Sequence, residues 1–412
     1  MRRLIALLVG WCGLLAACTP PADPPGVWST PITLAQADQT DAPALAPADK
    51  MVTAIWVGAD DAGVHHDAVQ LRGPDVTPTV VLPLPPNRPT AQQIIPADDD
   101  AMHLLWLDAL DPPDDDPGAA PITRLYTALI RPDLTIERGP TPVADGLALR
   151  YDAVPDGDGG VWVVWSGDTI TEPAIDLRRI DALGRPRPPA QRIADNAEWP
   201  TVARAADGSL HVYWLSLTSG QLMAAWLFDG ALLERRALTG AVSLRPGDRL
   251  MTMAAGLDRA HGYVFWNITR AESGPETWLA SGLPTAANWN PPRLLTLDPA
   301  LGADFETDFR TALVHQPAPA QGTTDDQAVR WVSPLMGSGQ HDALPIAAET
   351  DDGLGVAYLR GGEIAAYELV VPGVRLIGSP ALHADADLNL FLAWAQPHPN
   401  AAADLRLITT RR

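Results

Sequence analysis

Lysine is almost missing from this chain of 412 residues: Lys50 is the only one, and arginine supplies the other basic side chains. Acidic residues outnumber basic ones 50 to 29, a formal charge of −21. A surface of that sign repels phosphate backbones, which excludes nucleic acid as a partner. Cysteine is scarce too, with only Cys12 and Cys18, both near the amino terminus. No disulfide framework can staple the body of the protein, so its stability must come from packing. The longest apolar run, residues 4–17, is 14 residues, too short to span a bilayer comfortably. Neither a Gly-rich phosphate loop nor a Gly-x-Ser-x-Gly elbow is present, and no cofactor is expected. What the chain has in excess is proline, 41 residues spread along its length. Proline removes a backbone donor and breaks helix interiors, so long helices are excluded from most of the chain. The apolar fraction of 46% is that of a folded protein.

The amino terminus has a basic start, Met1-Arg2-Arg3, then the apolar run, then Leu15-Ala16-Ala17-Cys18. This pattern resembles the lipobox of bacterial lipoprotein precursors. The resemblance implies a signal peptide over 1–17, lipidation of Cys18 and anchoring to a membrane of the cell envelope. Removal of Arg2 and Arg3 with that peptide takes the formal charge from −21 to −23. The alternative is an ordinary signal peptide followed by a chance cysteine. Residues 18–27 read as the lipidated Cys and a Pro-rich stiff tether, in which the eight residues 19–26 reach roughly 25 Å at ~3.1 Å per residue. Thr19 rather than Asp follows the cysteine, which in two-membrane bacteria implies an outer-membrane address. The expected localisation is therefore extracytoplasmic.

A repeat governs the rest. Strand-like segments 52–56, 102–106, 161–165, 210–214, 262–266, 354–358 and 390–394 each end on an aromatic residue, from Trp56 to Trp394. Two residues earlier, all are apolar: Ala54, Leu104, Val163, Val212, Val264, Val356 and Leu392. Period two puts these on one strand face. Seven residues before the aromatic, six repeats carry Asp, and the seventh has Asp258 one place earlier. Asp beside Gly, as in Asp207-Gly208, is hairpin-turn chemistry. Spacings between the aromatics are 50, 59, 49, 52, 92 and 36. Most approach the ~40–50 residues of a four-stranded propeller blade.

The expected fold is all-β, a single propeller of seven four-stranded blades over residues 28–412, with eight as the alternative. Residues 27–34 form a spare strand that would complete the last blade and remove an exposed edge. The 92-residue spacing is read as an insertion hairpin at 300–341 on blade five or six, with Trp331 inside it.

The Asp-Gly turn followed by an aromatic strand resembles the sialidase-type propellers of bacteria. That resemblance implies glycan processing, as a glycoside hydrolase or polysaccharide lyase. The Ser-x-Asp-x-Gly-x-Thr-Trp box and the Phe/Tyr-Arg-Ile-Pro segment of sialidases are both missing, so activity does not transfer with the fold. The reading from the residues is a binding module for a protein partner or a glycan. The processing enzyme is the alternative.

In an up-and-down blade, the entry to the first strand and the turn between strands two and three share one end. That places Asp41, Gln92, Arg150, Trp199, Arg249, Asp342 and Ser379 around one mouth of the ring. Arg150, Trp199 and Arg249 belong to successive blades, and two guanidiniums flanking an exposed indole would suit a carboxylate-bearing sugar. Glu172, Glu272 and Glu276 lie in loops at the same end as candidate acids or bases. Against this stand plain surface pairs, Arg249 with Asp248 and Arg150 with Asp152, and a Trp199 packed beside Pro200. The Asp156–Asp158 segment and the acidic loop from Asp108 to Asp116 read as turn and solvated surface, with adventitious calcium as the alternative. The His65-His66 pair reads as surface, and no metal site is expected.

Overall fold

The structure is a computed structural model. It describes residues 27–411 apart from 38–41, 49–50, 62, 73–74, 85–87, 111–121, 169–171, 242–246, 271–273, 286–288, 299–308, 310–326, 338 and 400. The expected signal peptide, Cys18 and the expected tether up to residue 26 therefore lie outside the described residues.

Antiparallel sheets follow one another around a ring of seven blades. Their inner strands are Ala44–Ala48, Pro89–Pro96, Ala148–Pro155, Ala197–Arg204, Arg249–Leu257, Val332–Pro334 and Ala381–Ala384, defining blades one to seven. Blade four shows the plan: inner strand, then Leu210–Ser216, Gln221–Phe228 and Ala231–Ala241 in order outward. Its first turn is closed by Asp207, whose Oδ1 accepts from the Ser209 amide at 2.9 Å and hydroxyl at 2.7 Å. Gly208 supplies the positive φ of 86° that this turn needs. All seven repeat aromatics and the seven apolar residues two places before them are buried, as their shared strand face requires. Trp214 is 3% exposed and shares an apolar cluster with Val154, Val164 and Leu177 of blade three, so it wedges between blades.

Ring closure uses the amino-terminal segment. Val27–Trp28 and Ile32–Ala37 both pair with Ala401–Arg411, the third strand of blade seven, with Val27 opposite Arg411 and Ala37 opposite Ala403. An otherwise open sheet edge is thereby covered by the other end of the chain.

Blade six departs from the sequence expectation. Its inner strand is Val332–Pro334, its second Leu344–Thr350, its third Gly353–Arg360 and its fourth Glu363–Pro372. Tyr358 therefore lies on the third strand rather than the second, which accounts for the long and short spacings on either side of it. Asp351 and Asp352 consequently form the turn between strands two and three, at the opposite end from the Asp-Gly turns of the other blades. The expected insertion at 300–341 also ran too far, because its last part includes the inner strand. At its base, Thr296–Leu297 pairs with Gln327–Ala328. The second strand, LPIAAET, is buried throughout and carries no aromatic to mark its register.

Candidate functional site

The inner strands surround a channel of about 380 Å³. The two ends of the ring differ. At the end bearing most Asp-Gly turns, the blade-six connection after Pro334 crosses the floor. Gly339 bridges to Ala205 of blade four, and the Arg259 amide donates to the His341 carbonyl at 2.8 Å. Met336 packs against apolar clusters built from blades two, three and four. This connection closes that end, leaving the channel to open where the inner strands begin.

Backbone irregularities collect at the open end. The ladders between first and second strands shift register between Thr90 and Gln93, Ala148 and Arg150, Glu198 and Thr201, and Leu250 and Thr252. Four consecutive blades thus carry a bulge at the same radial position. Bulges bend a strand and re-aim its side chains, and they concentrate at rims and binding sites. Two of them hold non-glycine residues in the left-handed region, Ala91 at φ 52° and Trp199 at φ 59°. For a residue as bulky as Trp that conformation is strained and persists only where surroundings enforce it.

Trp199 is enforced in this way. Its indole joins the apolar cluster shared with blade five, among Tyr213, Leu215 and Trp266, and only 9% of the residue is exposed. The guanidinium of exposed Arg150 lies 3.4 Å from the centroid of that ring. The structure brings these two candidates together with roles different from those expected. Trp199 is covered rather than open, so a sugar cannot stack on it; instead it supports Arg150 as a cation–π platform. Enclosure pulls the Arg150 pKa below its usual value, with Glu198 opposing.

The alternative ion pairs also resolve differently. Asp248 bonds Arg270 at 2.9 Å, and Arg249 is exposed. Asp152 turns into the channel wall, where its Oδ1 accepts from the Gln93 side chain at 3.2 Å and the Ala153 amide at 2.8 Å. Its Oδ2 accepts from the Thr201 hydroxyl at 2.7 Å and the Val202 amide at 2.9 Å. Burial pushes this carboxyl up, against the pull of those four donors. Donors from blades two, three and four fill its oxygens, so Asp152 clasps three inner strands rather than offering a free carboxylate.

The remaining candidates scatter. Gln92 and Ser379 line the channel. Asp342 does not, since it precedes the second strand of blade six and pairs with Arg360 at the closed end. Glu276 is engaged by Arg270 at 2.6 Å, and Glu172 follows the second strand of blade three at the open end. Asp41 and Glu272 lie outside the described residues.

Two features escaped sequence reasoning. His383 lines the channel, and burial pushes its pKa down to about 4, so its ring is neutral at pH 7. It sits on an inner strand with nothing in its spacing to announce it. The bulges were equally invisible, because they are backbone events.

The expected surface histidine His66 is instead 3% exposed, edge-on to Trp106 at 5.3 Å. Asp156 is a turn residue: its Oδ1 accepts from the Asp158 and Gly160 amides, each at 2.8 Å, and its Oδ2 pairs with Arg179. Asp108, from the acidic loop, is buried and accepts from the Arg88 amide at 2.9 Å. Among the described residues, no three His, Cys, Asp or Glu side chains gather as a metal set.

No family model matches the sequence, and no curated protein matches it. Solved structures do. The polysaccharide lyase Uly1 aligns over 96% of this chain and 94% of its own, with a TM-score of 0.55 and 9% identity. An ulvan lyase of family PL25 aligns over 93% and 94%, with a TM-score of 0.50 and 9% identity. The chain shares the seven-bladed propeller fold of these lyases. A microbial sialidase, Hz136, aligns over 77% of this chain and 64% of its own at a TM-score of 0.44 and 10% identity. At such identities the likeness extends to the fold alone.

Proposed function

We propose that this protein is a glycan-directed propeller that receives an acidic saccharide at the open end of its channel. The observation that carries this reading is Arg150, seated over the buried Trp199 while remaining exposed at the mouth. A guanidinium fixed this way loses little freedom on meeting a carboxylate or sulfate, and its planar fork matches either anion. Exposed Arg249, at the same end of the next blade but one, adds a second cation against the acidic background. Lipidation at Cys18, and with it an extracytoplasmic location, belongs to the same proposal and rests on the Leu15–Cys18 motif.

A second reading is that the ligand is also cleaved. Hydrolysis with two carboxylates has little support, since Asp152 is the only carboxylate lining the channel among the described residues and its oxygens are filled. Proton abstraction beside a uronate carboxyl needs a single base, and His383, which lines the channel with a neutral though weakly basic ring, is the candidate.

Calorimetry with uronate-containing and neutral oligosaccharides tests the first reading, and equal or absent binding of both would refute it. Product chain length and the absorbance of an unsaturated sugar test the second. Intact polymer after prolonged incubation leaves the protein a binder. Metabolic labelling with a fatty-acid analogue tests the anchor, and Cys18→Ser is expected to abolish the label.

A further inference from the structure

We propose that the closed end of the ring is the face this protein lays against a lipid surface, with the channel mouth directed away from it. The proposal goes beyond glycan binding and rests on lipidation at Cys18. Three observations carry it.

Chain direction comes first. Inner strands run from the open end to the closed end, so third strands do the same. Ala401–Arg411 is the third strand of blade seven, and its last residues therefore lie at the closed end. Val27 pairs with Arg411, so the described chain begins at that end. Residues 18–26 precede it, nine residues with a fully extended reach of ~30 Å. An eight-residue strand such as Ala148–Pro155 spans ~27 Å along the ring axis. Turning the open end to the membrane would consume almost all of that reach in passing the blade. Turning the closed end to it consumes none.

Exposed apolar side chains give the second observation. Leu183, Phe228 and Leu283 are 52%, 50% and 51% exposed. They follow or end the third strands of blades three, four and five, at equivalent outer turns of the closed end. Leu233, 54% exposed, is the third residue of the strand beyond Phe228. Single exposed apolar residues are ordinary, but a row on the same turn of consecutive blades makes a rim that can enter the headgroup layer.

Charge supplies the third and selects the lipid. Exposed Asp98–Asp100, Asp158, Asp207 and Asp229 lie on turns of the same end. They disfavour anionic headgroups, so the partner surface is a zwitterionic one.

The full-length lipoprotein, reconstituted through its own anchor into phosphatidylcholine vesicles, provides the test. Phe228→Cys and Leu217→Cys place a dye at opposite ends of blade four, because Leu217 is 46% exposed in the turn between its second and third strands. Cys18 is lipidated under this reading, so the new thiol is the labelling site. Quenching by lipid-borne nitroxide is expected to be several-fold stronger at position 228, and to weaken when phosphatidylglycerol replaces part of the neutral lipid. Flotation with the vesicles but equal quenching at both positions, or stronger quenching at 217, overturns the orientation and leaves the anchor standing. Failure to float overturns the anchor and the orientation with it. Saccharide binding is read separately on the same vesicles, so neither result bears on the reading of the channel mouth.

Discussion

Blades four and six each have four strands, yet they solve the radial packing problem in opposite ways. Blade four joins its first two strands by a tight Asp207-Gly208 turn and puts its aromatic, Trp214, on the second strand. Blade six has a longer connection between the same strands, sends it under the channel, and gives its second strand no aromatic. Its aromatic, Tyr358, moves one strand outward. The repeat is thus a record of local crowding. An aromatic fits wherever adjoining blades leave room for it, and a short first turn keeps that place on strand two.

The sharpest test of this contrast is Trp214→Ala. It should destabilise the fold by about 3–5 kcal/mol in denaturant titration, through lost burial and a residual cavity between blades three and four. Unchanged stability would remove Trp214 from the role of inter-blade wedge.

Next in size is a pH effect of opposite sign in the two blades. In blade four, burial pushes the His211 pKa down to about 4, beneath its usual 6.5. The unfolded chain then binds the extra proton first, so this stability is full above pH 6.5 and is lost as pH falls towards 4. The loss is on the order of 3 kcal/mol at most. In blade six, burial raises the Glu349 pKa, with the Leu376 amide and Arg330 opposing. Its contribution is full below pH 4.5 and declines as pH rises through the folded value. His211→Gln should flatten the acid limb of a melting-temperature profile, whereas Glu349→Gln should raise the neutral plateau. Changes of the same sign in both variants would contradict these environments.

Smaller still is the change at the mouth. Arg150→Ala should weaken binding of an acidic oligosaccharide by about 1.5–3 kcal/mol, as for a charged hydrogen bond, with little effect on melting temperature. A large drop in melting temperature would mean that the Arg150–Trp199 stack is chiefly structural. Smallest is Met336→Ala, expected to cost about 1 kcal/mol because the side chain is only half-buried. Its informative readout is channel access: the His383 ring should exchange protons and react with diethyl pyrocarbonate faster once the floor is thinned.

Blade count, strand faces and ring closure were legible because period-two burial and turn chemistry are local. Trp56, Trp106, Trp165, Trp214, Trp266 and Trp394 all stand on second strands, as their shared register requires. Blade six was misplaced by one strand because Val332–Pro334 is short and Leu344–Thr350 has no aromatic. The mouth was legible only in part. Chain direction placed Arg150 and Trp199 at one end, but the bulge that folds the indole inward beneath the guanidinium leaves no trace in composition. Asp342 failed with blade six, being carried to the wrong end by the same shift. Asp152 was assigned to Arg150 because they are neighbours in sequence, whereas its partners come from three blades.

The closing sheet also determines how the molecule bears load. Val27–Trp28 and Ile32–Ala37 lie along Ala401–Arg411, so traction on the residues before Val27 acts along the strand axis. Several interstrand hydrogen bonds then resist together in shear, instead of parting one at a time as a peeled edge would. The first contacts to take that load are those of Val27 and Trp28, and the Ser29 amide bond to the Thr409 carbonyl at 2.8 Å backs them directly. Under the anchor proposed at Cys18, the seam of the propeller is also its point of suspension, and drag on the ring is met by the sheet that closes it.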